Sequence, residues 1–99
     1  MGWLFSSTPK WTEKDLDKHE RSHLRAYKDQ KIRYTITNRG GIPVLEGRIP
    51  HSKSGSRRGA IALYAGYLAG GGDRQAALEL AREAGMTEQE VAREARKYV

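Results

Sequence analysis

The 99-residue sequence contains no cysteine. That excludes a disulfide framework, thiolate chemistry and a cysteine-ligated metal, and makes a cytoplasmic protein the expectation. No apolar run approaches the roughly 20 residues that cross a bilayer, and the first residues lack the basic start and long apolar stretch of a secretory signal, so a soluble chain is expected. Catalytic patterns are missing too. There is no H-E-x-x-H, the Gly and Ser residues at 52–59 do not follow the G-x-x-x-x-G-K-[ST] order, and Ser54 and Ser56 have no base near them in sequence. His19 and His23 stand four apart, a spacing that can present two imidazoles to one metal ion, but there is no compelling acidic third ligand. No enzymatic activity, metal or cofactor is expected.

Acidic residues are also in the minority, 12 against 18 Lys and Arg, for a formal charge of +6. The excess is uneven. Residues 1–58 hold 13 basic and 6 acidic side chains, a net +7, whereas residues 59–99 hold 5 and 6, a net −1. The electropositive surface therefore belongs to the front of the chain.

An apolar content of 37% in 99 residues supports one domain with a modest core. Three parts are expected within it: an aromatic arm at 1–11, a basic helix and hairpin with a loop at 12–58, and a helical part at 59–99. Trp3, Leu4 and Phe5 in the arm need burial, either on the chain's own core or against a partner or second copy. Thr12 with Asp15 reads as a capping box opening a helix over 13–27. "KIRYTIT" alternates, with Ile32, Tyr34 and Ile36 on one face and Arg33, Thr35 and Thr37 on the other. "NRGG" then turns the chain into a second strand beside Pro43, giving a hairpin too small to stand alone in water. Pro50 to Gly59 reads as an exposed flexible loop. "AIALYAGYLAG" reads as a largely buried helix ending at Gly70, Gly71 and Gly72, with Ala62, Ala65 and Gly66 admitting another helix closely. Asp73 caps the next helix to about Ala84, and Thr87 with Glu90 boxes the last from Glu88. The fold class expected is α+β: an N-terminal helix, a β-hairpin and three C-terminal helices.

Within "LAREAGMTEQEVAREARKY" a small residue, Ala81, precedes Gly85 by four and an apolar one, Val91, follows it by six, with Leu80, Ala84 and Met86 at the inner positions. These about 20 residues resemble a helix-turn-helix unit, in which the small residue lets two helices cross and the glycine makes the turn. Glu94 departs from the pattern at a position usually apolar. The resemblance implies that Gln89 and Arg93 reach base edges and Arg96 a phosphate, with Glu88 and Glu90 unfavourably close to a polyanion. Independently of it, Arg33, Arg39 and Arg48 on the hairpin and Lys53, Arg57 and Arg58 in the basic stretch are candidates for phosphate contact.

Together these features point to a small nucleic-acid-binding accessory or regulatory protein, with the helix-turn-helix-like unit more scaffold than reader. The alternative is a protein-binding inhibitor or adaptor acting through Trp3, Leu4 and Phe5. In make-up the chain is similar to small orphan phage proteins, among which are anti-CRISPR inhibitors.

Overall fold

The computed structural model describes residues 11–99, so Trp3, Leu4 and Phe5 lie outside the described residues. The order is helix α1 (Lys18–Asp29), strands β1 (Arg33–Arg39) and β2 (Ile42–Arg48), then helices α2 (Lys53–Leu68), α3 (Arg74–Glu83) and α4 (Glu88–Ala95), closed by a 3₁₀ turn at Arg96–Tyr98. This is the α+β arrangement expected. No helix among the described residues is long and apolar enough to cross a membrane.

The first helix differs from its expected span. Thr12 donates its backbone N–H to the Asp15 carboxylate at 2.7 Å, but this closes only a 3₁₀ turn at Glu13–Asp15. Leu16 then turns extended and buries its side chain, at 1% exposure, and Asp17 caps α1 by accepting the Glu20 N–H at 3.0 Å. Burial of Leu16 overrides helix continuity there. At the other end the N–H of Ile32 reaches the Tyr27 carbonyl and that of Lys31 the Lys28 carbonyl, a Schellman closure with Lys31 at φ 56°.

The hairpin has the antiparallel register Arg33 with Arg48 through Arg39 with Ile42. Gly40 and Gly41 both have positive φ, 61° and 85°, as a two-residue type I′ turn requires. The side of the sheet carrying Tyr34, Ile36 and Leu45 packs on the core, and the side carrying Arg33, Thr35 and Arg39 is exposed.

A larger correction concerns 50–59. The expected loop is instead the start of α2, with Ser52 accepting the Gly55 N–H at 2.9 Å as N-cap and Gly55, Ser56 and Gly59 buried. Two glycines cost a helix roughly 1 kcal/mol each, but here they admit neighbours. A Cβ on Gly55 would stand 2.2 Å from the Pro50 carbonyl oxygen, and one on Gly59 2.7 Å from Ile49. Packing outweighs propensity.

Helix α2 is the centre of the molecule. Ala60, Ile61, Ala62, Tyr64 and Ala65 are buried among Leu24 and Tyr27 of α1, Ala77 and Ala81 of α3, and Val91 and Ala95 of α4. At Gly66 α1 approaches closely, since a Cβ there would lie 2.6 Å from the His23 ring. The small residues of this helix do admit a neighbour.

Candidate nucleic-acid interface

Helices α3 and α4 meet across a turn built as their sequence implies. Asp73 accepts the Ala76 N–H at 3.2 Å to start α3. At its end the N–H of Met86 bonds the Ala81 carbonyl at 2.8 Å and that of Gly85 the Arg82 carbonyl at 3.1 Å, with Gly85 at φ 72°. This is again a Schellman closure, and the left-handed residue is the glycine. Thr87 and Glu90 then form the capping box, with Thr87 N–H to Glu90 at 2.9 Å and Glu90 N–H to the Thr87 hydroxyl at 3.2 Å. Ala81 and Val91 are buried between the helices. Glu94, at the position usually apolar, is half-buried and 3.9 Å from Lys97, while Ala95 and Tyr98 supply the buried contacts near it.

Both carboxylates that oppose a polyanion are occupied within the chain. Glu88 takes a two-pronged contact from Arg74 of α3, at 2.7 and 2.6 Å, and accepts the Tyr64 hydroxyl of α2 at 2.6 Å. One carboxylate thereby joins three helices. The Arg74 guanidinium first, and then the Tyr64 hydroxyl, holds the Glu88 carboxyl below the usual carboxylate range; burial first, and then the Glu88 carboxylate, pushes the Tyr64 hydroxyl up. Glu90 is turned back to the helix start, where the Thr87 N–H favours its charged form. Sequence reasoning missed the part played by Arg74, because nothing in the spacing of residues 64, 74 and 88 marks a three-way contact.

Besides Glu90, α4 and the first residue of the turn after it leave Gln89, Arg93 and Arg96 outward. All three are exposed, and no hydrogen bond or ion pair within 4 Å holds them among the described residues. With Tyr64 and Glu88 they border a shallow concavity of about 470 Å³. Arg93 also borders a second one, of about 360 Å³, whose other cation is Arg57 of α2 and which Glu90 and Glu94 line as well. Arg57 lies with a guanidinium nitrogen 3.7 Å from the Met86 sulfur, beside the turn.

The helical form of 53–58 thus divides the basic stretch. Arg57 joins the α4 cations. Arg58 points elsewhere and donates to the Gln30 and Lys31 carbonyls at 3.2 and 3.3 Å, closing the C-terminal end of α1. Lys53 borders a separate hollow with His51 and Glu83.

On the hairpin, Arg33 and Arg48 face each other across the strands, both exposed and unpaired by any ion pair among the described residues. Arg39 instead binds Glu46 at 2.9 Å, and its guanidinium, followed by the Thr37 hydroxyl at 2.8 Å, keeps the Glu46 carboxyl below its ordinary range.

His23 packs between α1 and α2, and His19 lies against Gly71 beyond the end of α2. The His23 ring stacks on Tyr27 with centroids 5.0 Å apart, and its Nε2 is buried without a partner among the described residues. His19 holds Asp17 at 3.1 Å. Among the described residues no three acidic or histidine side chains converge as metal ligands. Comparison with known protein families, characterised proteins and solved structures finds no match to this chain.

Proposed function

We propose that the protein binds nucleic acid as a small accessory or regulatory factor, using the outward face of α4 with Arg57 as one contact and the outer face of the hairpin as another. The observation that carries this reading is the fate of Glu88. Its carboxylate is consumed by Arg74 and Tyr64, Glu90 is consumed by its capping box, and Glu94 lies 3.9 Å from Lys97, so the side chains left for a ligand on α4 and the turn after it are Gln89, Arg93 and Arg96. In a duplex groove Gln89 and Arg93 have the donors and acceptors that read base edges, while Arg57 and Arg96 suit phosphates. Arg33 and Arg48 on the hairpin add backbone contacts, with Arg39 less available through Glu46 and Arg58 through the α1 carbonyls. Lys53, exposed on the first turn of α2, completes the set.

The test is binding to duplex DNA, single-stranded DNA and RNA over a salt series. Removing one cation that neutralises a duplex phosphate lowers the magnitude of the log–log salt slope by about 0.9. Arg57→Ala with Arg96→Ala is therefore expected to flatten it by nearly two. Absence of binding at low salt, or affinity indifferent to salt, refutes the proposal.

A second reading, capture of a protein partner, is favoured by one surface. Leu68 and Val99, 36% and 57% exposed, border a groove whose other wall carries Lys18, Arg21 and Arg25 of α1. A pull-down with and without nuclease separates the two readings, because only a protein contact survives the nuclease.

A further inference from the structure

We propose that β1 is the pairing edge of a two-fold dimer, in which β1 of one copy lies antiparallel to β1 of a second copy and the two hairpins form one four-stranded sheet. The two-residue turn at Gly40 and Gly41 makes Arg39 and Ile42 the closing hydrogen-bonded pair. Alternation along the ladder then directs the backbone groups of Arg33, Thr35, Thr37 and Arg39 toward β2, and those of Tyr34, Ile36 and Asn38 away from it. On β2 the outward positions are Pro43, Leu45 and Gly47.

The two edges are treated differently. That of β2 is blunted: Pro43 has no N–H, the Leu45 N–H donates to the Glu20 carboxylate at 3.3 Å, and the Tyr27 ring lies against Gly47. That of β1 is open. No backbone hydrogen bond reaches Tyr34, Ile36 or Asn38 from outside the hairpin among the described residues, and β1 contains no proline.

The open edge is complementary to itself. Its three outward residues are spaced evenly about Ile36, so a two-fold axis there sets Ile36 against the partner's Ile36 and Tyr34 against the partner's Asn38. Every outward N–H then meets an outward C=O. On the solvent face Thr35 falls opposite the partner's Thr37, a favourable cross-strand pair. Arg33 falls opposite the partner's Arg39, and within each chain Arg39 is held by Glu46 at 2.9 Å, which relieves the repulsion. Two strands alone are marginal in water, and four with a packed face are not. The sheet so formed carries Arg33, Arg39 and Arg48 of both copies on one surface.

The register is testable because the chain has no cysteine of its own. Thr35→Cys and Thr37→Cys are prepared separately, checked for folding by circular dichroism, and oxidised alone and as an equal mixture. The mixed 35-to-37 disulfide is expected well above its statistical share, since only that pairing sets the two sulfur atoms directly opposite. Sedimentation of the unaltered chain is expected to show a monomer–dimer equilibrium that shifts with concentration. A chain that stays monomeric at every concentration overturns the proposal, as does a dimer whose cysteine variants show no preference for the mixed cross-link. Neither measurement involves nucleic acid, so it stands or falls apart from the function proposed above.

Discussion

Acidification should loosen this protein through His23. The imidazole is partly buried between α1 and α2, stacked on Tyr27 and set against Gly66, with Nε2 bonded to nothing among the described residues. Burial, and secondarily the neighbouring His19, lowers its pKa from 6.5 to about 4. The folded state thus refuses a proton that the unfolded chain accepts, and stability falls as pH drops through the window from 6.5 to 4. Well above 6.5 the ring is neutral in both states and contributes no slope. Between pH 7.5 and 5 the difference amounts to about 2 kcal/mol, approaching about 3 kcal/mol near pH 4, because each pKa unit corresponds to about 1.4 kcal/mol. That is a large share of the total stability of a small domain. Urea unfolding at a series of pH values measures it. His23→Gln, which cannot titrate, is the control. If the pH 7.5 to 5 difference is as large in His23→Gln as in the unaltered chain, or if the His23 ring proton shifts titrate near 6.5, the burial argument is refuted.

The packing implies three further outcomes. Lys31 sits at φ 56°, where a side chain costs roughly 1 kcal/mol, so Lys31→Gly is expected to raise the midpoint of thermal unfolding by a few degrees. Gly66→Ala places a methyl 2.6 Å from His23 and is expected to destabilise by about 1 to 3 kcal/mol despite the better helix former, as read in denaturant midpoints. Glu88→Gln and Arg74→Ala each remove one side of the same contact. Both should lower the melting temperature, and the double variant should fall well short of the sum; strict additivity would show that the contact does not join the helices.

Much of the fold is legible in the sequence because its signals are local. The paired glycines at 40 and 41, Asp73 before α3, Gly85 after it, and the Thr87 and Glu90 box each act within four residues, and each takes the role that its spacing implies. Alternation places Tyr34 and Ile36 toward the core for the same reason. The first helix departs from its local signal where a capping box competes with Leu16, whose burial is a long-range matter. The stretch from Pro50 to Gly59 departs further, since Ser, Gly and Arg together read as loop until Ile49 and Pro50 are seen filling the space at Gly59 and Gly55.

Of the candidate interface, the identity of its cations and the helix-turn-helix-like spacing were set by sequence alone, because both depend on residue type and short separations. Only the tertiary structure decided how those cations are shared out. A helix turns about 100° per residue, so neighbouring Arg57 and Arg58 leave α2 in different directions, one to the turn at Met86 and one to the end of α1. The neutralisation of Glu88 required Tyr64 and Arg74 to arrive from two other helices. No separation along a chain encodes such a meeting, and packing of α2, α3 and α4 around Ile61 and Val91 creates it.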